Sequence, residues 1–171
     1  MGIDIYAKWR GQTEAEEKAQ LTGYATDAGN VGYLREAYHG SPYVTKYFLK
    51  EAFGVKDDVK IPAKVLIERL PVAVLMSLHR NKKLYDDEKD PGTQSFGSIA
   101  DAIKNVFDVE MKDESHNDFE KSLTHHHIEY AKARIASGDL PYWAKSYVDF
   151  AYLCEKKEKE TGEPVTIICS A

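Results

Sequence analysis

The chain has 171 residues, 43% of them apolar and 30% charged, with a formal net charge of −5. That size and mixture exclude a disordered chain and allow a core that folds without staples, most simply as one globular domain over 1–171. The acid excess argues against a general nucleic-acid binder, which must bring many cations to displace counterions from phosphate, although a local basic patch survives that argument.

The opening "GIDIYAKW" alternates, with Ile3, Ile5 and Ala7 on one side and Asp4, Tyr6 and Lys8 on the other. Such alternation predicts a strand with one buried face. Acid and base come before any apolar run, so no secretory leader is expected, and Tyr6 stands where a myristoylation signal needs Ser or Thr. Thr13 and Glu16 have capping-box spacing and predict a short polar helix over 14–21. Next, "GNVGYLREAYHG" predicts a short helix in which Leu34 and Tyr38 share a face and Arg35 and His39 lie one turn apart, with Gly40 as its stop. Residues 41–53, "SPYVTKYFLKEAF", point two ways. Ser41, Pro42 and the spacing of Val44, Tyr47, Phe48 and Ala52 suit a helix. The run of Tyr, Val, Thr and Phe suits a strand, which is preferred because two strands alone make a marginal sheet.

Pro62 fits the first turn of a helix over 62–83, with Pro71 either kinking it or starting a second one. "YDDEKDPGTQS", 85–95, reads as a long polar loop. Ser98 with Asp101 starts a helix over 97–112, whose apolar face is Ile99, Ile103, Val106 and Phe107. Ser115 with Asp118 starts another over 116–137, which Gly138 stops. Pro141 begins the last helix, 141–160, with Trp143, Tyr147, Phe150, Ala151 and Cys154 as one stripe and "EKKEKE" as a solvated tail. "EPVTIICSA", after a "TGEP" turn, is the second clear strand. Unpaired terminal strands would leave buried backbone groups unsatisfied, so the two are expected side by side.

Cys154 and Cys169 form no C-x-x-C pair and sit in apolar stretches, the pattern of buried thiols in a reducing cytoplasm. The longest apolar stretch, "PVAVLMSL", is too short to cross a bilayer, so no membrane partner is expected. "LTHHHIEY" invites a metal reading, since imidazole is a common ligand. On a helix over 116–137, however, His127 falls in the buried face with Phe119, Leu123, Ile128, Tyr130, Ala131 and Ile135, His126 at its edge and His125 outside. Three consecutive rings pointing three ways cannot chelate one ion, so neither a metal nor another cofactor is assigned; His126 or His127 joining ligands from elsewhere stays open.

The first third of the chain is the better candidate for a site. Six of the eleven tyrosines lie in the first 47 residues, together with Trp9. Tyrosine offers an apolar body and a polar tip, the chemistry of pockets and of interfaces alike. Arg35 is a forked cation suited to phosphate or carboxylate, and beside it His39 would be kept neutral and able to accept a proton. Tyr33, Tyr38, Asp4 and Tyr6 would complete such a site, and Gly29 and Gly32 would let backbone amides approach a ligand. The competing structural reading makes Leu34 and Tyr38 core, pairs Arg35 with Glu36 or another acid, and gives the glycines to turns. No nucleophile elbow is present, and the acidic runs "YDDEKD" and "VKDDVK" read as solvated loops.

"MGIDIY", residues 1–6, resembles the start of small phage and bacterial proteins of unknown function that begin MG, then Met or Ile, Asp, Val or Ile, and Tyr. The resemblance implies a phage-related setting in a host cytoplasm, and brings no fold, activity or site residue with it.

These observations predict a helix-rich α+β domain with a small sheet that includes the N- and C-terminal strands. Helices should cover one face and the tyrosine-rich third should serve the other. The leading functional expectation is a non-catalytic binding or interaction module for a protein or a small anionic ligand, of open oligomeric state. The rival is a small enzyme acting on an anionic metabolite, with Arg35 as clamp and His39 as general base. Single-strand binding through stacked tyrosines ranks last, because residues 1–53 hold six Lys or Arg against seven Asp or Glu.

Overall fold

Both terminal strands form as the alternation requires, and they are neighbours. The computed structural model describes residues 2–23, 29–37, 43–87, 119–121 and 123–170. In chain order its elements are β1 (Gly2–Lys8), α1 (Glu14–Gly23), a 3-10 turn (Gly29–Val31), β2 (Tyr33–Ala37), α2 (Val44–Phe48), β3 (Val59–Ile61), α3 (Ala63–Asp87), α4 (His125–Ser137), α5 (Tyr142–Thr161) and β4 (Val165–Ser170). The architecture is α+β. Its four-stranded sheet has the order β2-β1-β4-β3, with every pairing antiparallel.

β1 lies inside the sheet, with Asp4 opposite Arg35 on β2 and opposite Ser170 on β4, and Tyr6 opposite Tyr33 and Ile168. Because side chains alternate across a strand, this register sorts the residues into two faces. The inner face carries Ile3, Ile5, Ala7, Leu34, Ile61, Val165 and Ile167, all buried against the helices in one continuous core with Phe48, Leu66, Leu70 and Phe150. Fully burying the Val, Leu, Ile and Phe side chains among them contributes about 1.5–3 kcal/mol each. The outer face carries Asp4, Tyr6, Lys8, Tyr33, Arg35, Lys60, Thr166, Ile168 and Ser170.

α3 and α5 pack against each other over the inner face, and α4 packs on α3. Pro71 lies inside α3, which runs through it as one helix. Pro lacks an N–H, so the cost of a missing helical bond is accepted inside a packed stripe that runs from Leu66 through Leu70 and Ala73. Glu158 of α5 accepts the N–H of Ala63 at 2.7 Å, giving the first residue of α3 an acceptor that the helix itself cannot supply. Gly162 closes α5 in the left-handed region (φ 75°) and turns the chain into β4.

Several expectations are corrected. Of the segment expected to be a helix through Arg35 and His39, residues 33–37 are strand β2, in which Tyr33 and Leu34 pair with Tyr6 and Ile5 across the sheet. Residues 44–48 are helix α2, not a strand; the extra strands the sheet needed are β2 and β3. The helix expected over 116–137 is interrupted at an extended Thr124 (φ −97°, ψ 168°): residues 119–121 are helical, and α4 begins at His125 with the three histidines in its first turn. The "EKKEKE" tail is not merely solvated. Lys157 lies 5.0 Å over the Trp9 ring and pairs with Glu16 at 3.2 Å, fastening α5 to the end of β1 and to α1. The helix expected over 97–112 and most of the loop at 85–95 lie outside the described residues.

Candidate functional site

Four of the candidate residues meet on the outer face through the cross-strand register. The Tyr33 hydroxyl donates to Asp4 Oδ1 at 2.6 Å. The Arg35 guanidinium stands 3.7 Å from the same oxygen, with the two side chains 27% and 21% exposed. The rings of Tyr6 and Tyr33 tilt against each other with centroids 5.2 Å apart. Lys8 lies 5.8 Å over the Tyr6 ring and donates to Gln20 Oε1 at 2.8 Å. Gly2 leaves room for this arrangement: a Cβ there would stand 3.2 Å from Arg35 Nε. Tyr38 and His39 lie outside the described residues. Arg35 belongs to strand β2 and not to the helical turn that was expected to carry it.

The chemistry of this cluster is that of a satisfied polar patch. Burial, followed by the hydrogen bond and charge of Asp4, pushes the Tyr33 hydroxyl well above the usual tyrosine range, so it stays protonated and donating. Asp4 in turn serves a hydroxyl and a guanidinium at one oxygen. The charge of Arg35 is therefore already met within the sheet rather than presented alone to an anion.

Gly29 and Gly32, expected to bring amides toward a ligand, instead bring the backbone toward the protein itself. A Cβ at Gly29 would fall 1.9 Å from the carbonyl oxygen of Ser146 on α5. Gly32 adopts φ +82°, and a Cβ there would meet Gln20 Nε2 at 2.8 Å. That nitrogen donates to the carbonyls of Ala7 and Gly32, joining the end of β1 to the start of β2.

Among the histidines, His127 is buried and its Nδ1 accepts the N–H of Thr124 at 2.8 Å, while His125 and His126 are exposed. Its hydrogen-bonded, tucked-in position is the one expected, but its partner is the helix start. Among the described residues no three His, Cys, Asp or Glu side chains gather as a metal would need.

A second polar cluster was missed by the sequence reading. Glu36, on the inner face and only 6% exposed, accepts the N–H groups of Val44 at 2.9 Å and Thr45 at 3.0 Å, the Tyr147 hydroxyl at 3.1 Å, and a charged bond from Arg80. Arg80, 7% exposed, also donates to the carbonyl of Ala37 and lies 4.7 Å over the Tyr43 ring. Burial pushes the Glu36 carboxyl up, against the pull of Arg80 and the surrounding donors. A signal for Arg80 existed: it follows Leu66 and Ala73 at helical spacing, a charge on an apolar stripe.

Two clefts lie away from both clusters. One, of about 560 Å³, is edged by Ala63, Ile67, Glu155 and Glu158 between α3 and α5; the other, of about 590 Å³, by Leu70, Pro71, Ile135 and Tyr152 where α4 joins them. Neither is lined by Asp4, Tyr6, Tyr33 or Arg35.

Fold and site together define an α+β domain with one sheet face built into the core and the other bearing a tyrosine–arginine–aspartate patch. No known protein family, curated protein or solved structure matches the chain.

Proposed function

We propose that this protein is a non-catalytic binding module whose sheet presents its outer face to a protein partner. One observation carries the reading: the half-buried Asp4, Tyr6 and Arg35 gather on the sheet face opposite α2, α3 and α5, around the fully buried Tyr33 and beside Ile168, which is 40% exposed. Tyrosine, arginine and an exposed aliphatic side by side form the mixture enriched at protein interfaces, where a few such residues carry most of the affinity. A small anion is the poorer fit, since Arg35 already has Asp4 and Lys8 already has Gln20. The cytoplasmic, phage-related setting implied by the opening residues belongs to the same proposal. No described helix is long and apolar enough to cross a membrane.

The test is capture of partners by the purified chain, identification by mass spectrometry, and calorimetric titration of the purified partner against wild type, Tyr6→Ala and Ile168→Asp. Each variant should weaken binding about tenfold or more, or about 1.4 kcal/mol. Undiminished affinity in both would sink the reading.

A further inference from the structure

We propose that the Glu36–Arg80 pair is a register lock on β2: it decides which side chains of that edge strand face outward, and so places Tyr33 and Arg35 against Asp4 and Tyr6. The inference goes beyond the binding reading and does not depend on what the outer face engages.

The need for a lock follows from the strand itself. β2 has five residues and, among the described residues, pairs on one side only, with β1. Because side chains alternate, a shift of one residue would exchange its two faces entirely. Apolar pattern alone does not choose between them. The observed inner set is Leu34 and Glu36, while the outer set is Tyr33, Arg35 and Ala37. Tyr33 and Leu34 are both almost fully buried, at 0% and 1% exposure. By burial preference, Ala37 suits an inner position better than a glutamate does.

What favours the observed choice is a preformed cradle for a carboxylate. The N–H groups of Val44 and Thr45, the Arg80 guanidinium and the Tyr147 hydroxyl come from α2, α3 and α5 and converge on one place. In the exchanged arrangement Arg35 would face that cradle, cation against cation, and the four donors would lose their acceptor. Both consequences are costly in a buried setting. Gln20 already holds the beginning of the strand at Gly32. Glu36 and the bond from Arg80 to the Ala37 carbonyl hold its far end. Buried ion pairs are weak sources of stability but well suited to fixing a register, which is the role assigned here.

The experiment replaces the pair by apolar residues, Glu36→Leu with Arg80→Met, and follows residues 33–37 by amide NMR and cross-strand contacts. The expected result is a folded protein whose melting temperature lies within about 5 °C of wild type. Residues 35–37 should give more than one set of signals, and the Asp4–Arg35 and Tyr6–Tyr33 contacts should weaken. A folded double variant with one set of signals and wild-type cross-strand contacts overturns the proposal. Should the double variant fail to fold, Glu36→Gln with Arg80→Met, which removes both charges and the bond to the Ala37 carbonyl while leaving the α2 amides an acceptor, is read the same way. If neither folds, the pair supplies stability rather than register and the proposal falls.

Discussion

Tyr33 shows how one residue can answer to two neighbours at once. Its ring is fully buried and its hydroxyl donates to Asp4, so Tyr33→Phe should lose about 1.5–3 kcal/mol, the worth of a hydrogen bond to a charged acceptor. The same contact sets a pH dependence. A tyrosine whose folded pKa lies above its unfolded value near 10 contributes stability that is complete below about pH 10 and is lost as pH rises toward the folded value. Tyr33 is displaced upward by burial and by Asp4, and Tyr47, displaced by burial and then by Glu120, is pushed up to about 12. Denaturant melts between pH 9 and 12 should therefore show wild-type stability falling with pH, and falling less steeply in Tyr33→Phe. Parallel curves would mean that the hydroxyl is not displaced. Tyr33 was named from the sequence as a candidate; its partner was not separable from other acids until the register placed Asp4 beside it.

At the scale of elements, the start at Thr13 and the stop at Gly138 were legible and partners were not. The Thr13–Glu16 box forms as its spacing requires, with reciprocal bonds at 3.2 and 3.1 Å, and Gly138 ends α4 in the left-handed region (φ 71°). These signals are local: the groups that meet are within one turn of each other. The start of α4 uses a less familiar version, with His127 in the place of the usual Glu or Gln. Removing it as His127→Ala should cost about 1–2 kcal/mol, while His127→Gln, which restores an ordinary capping box, should recover most of that. Thermal melts of the two variants decide it; an equal loss in both would assign His127 to packing alone. β2 and α2 were misread for the opposite reason. Leu34, Tyr47 and Phe48 suit either period, and the choice was made by what they pack on: β1 for the one, and Tyr147 and Phe150 of α5 for the other.

For the molecule as a whole, the most distant parts of the chain are its centre. β4 lies between β1 and β3, so the last described residues complete a sheet begun by the first. Deleting 165–171 removes Val165 and Ile167 from the core and strips one side of β1 of its partner. The truncated chain should fail to fold cooperatively, losing the sharp thermal transition and gaining rapid amide exchange along β1. A cooperative melt with β1 still protected would show that the helices alone define the fold.

By itself the sequence determined the α+β class, the two terminal strands, the last helix with its apolar stripe, expected over 141–160 and found at Tyr142–Thr161, and the side of β1 that carries Asp4 and Tyr6. Each of these rests on periodicity or on a cap, properties that a few neighbouring residues carry whatever the rest of the chain does. Only the tertiary structure decided that Arg35 belongs to Asp4 and Glu36 to Arg80, and that Gly29 is needed by a carbonyl 117 positions further along, at Ser146. Adjacent residues on a strand point to opposite faces, so Arg35 and Glu36 took partners from different sides of the sheet. Which acid meets which base then depends on contacts between elements far apart in the chain, and no local pattern encodes them.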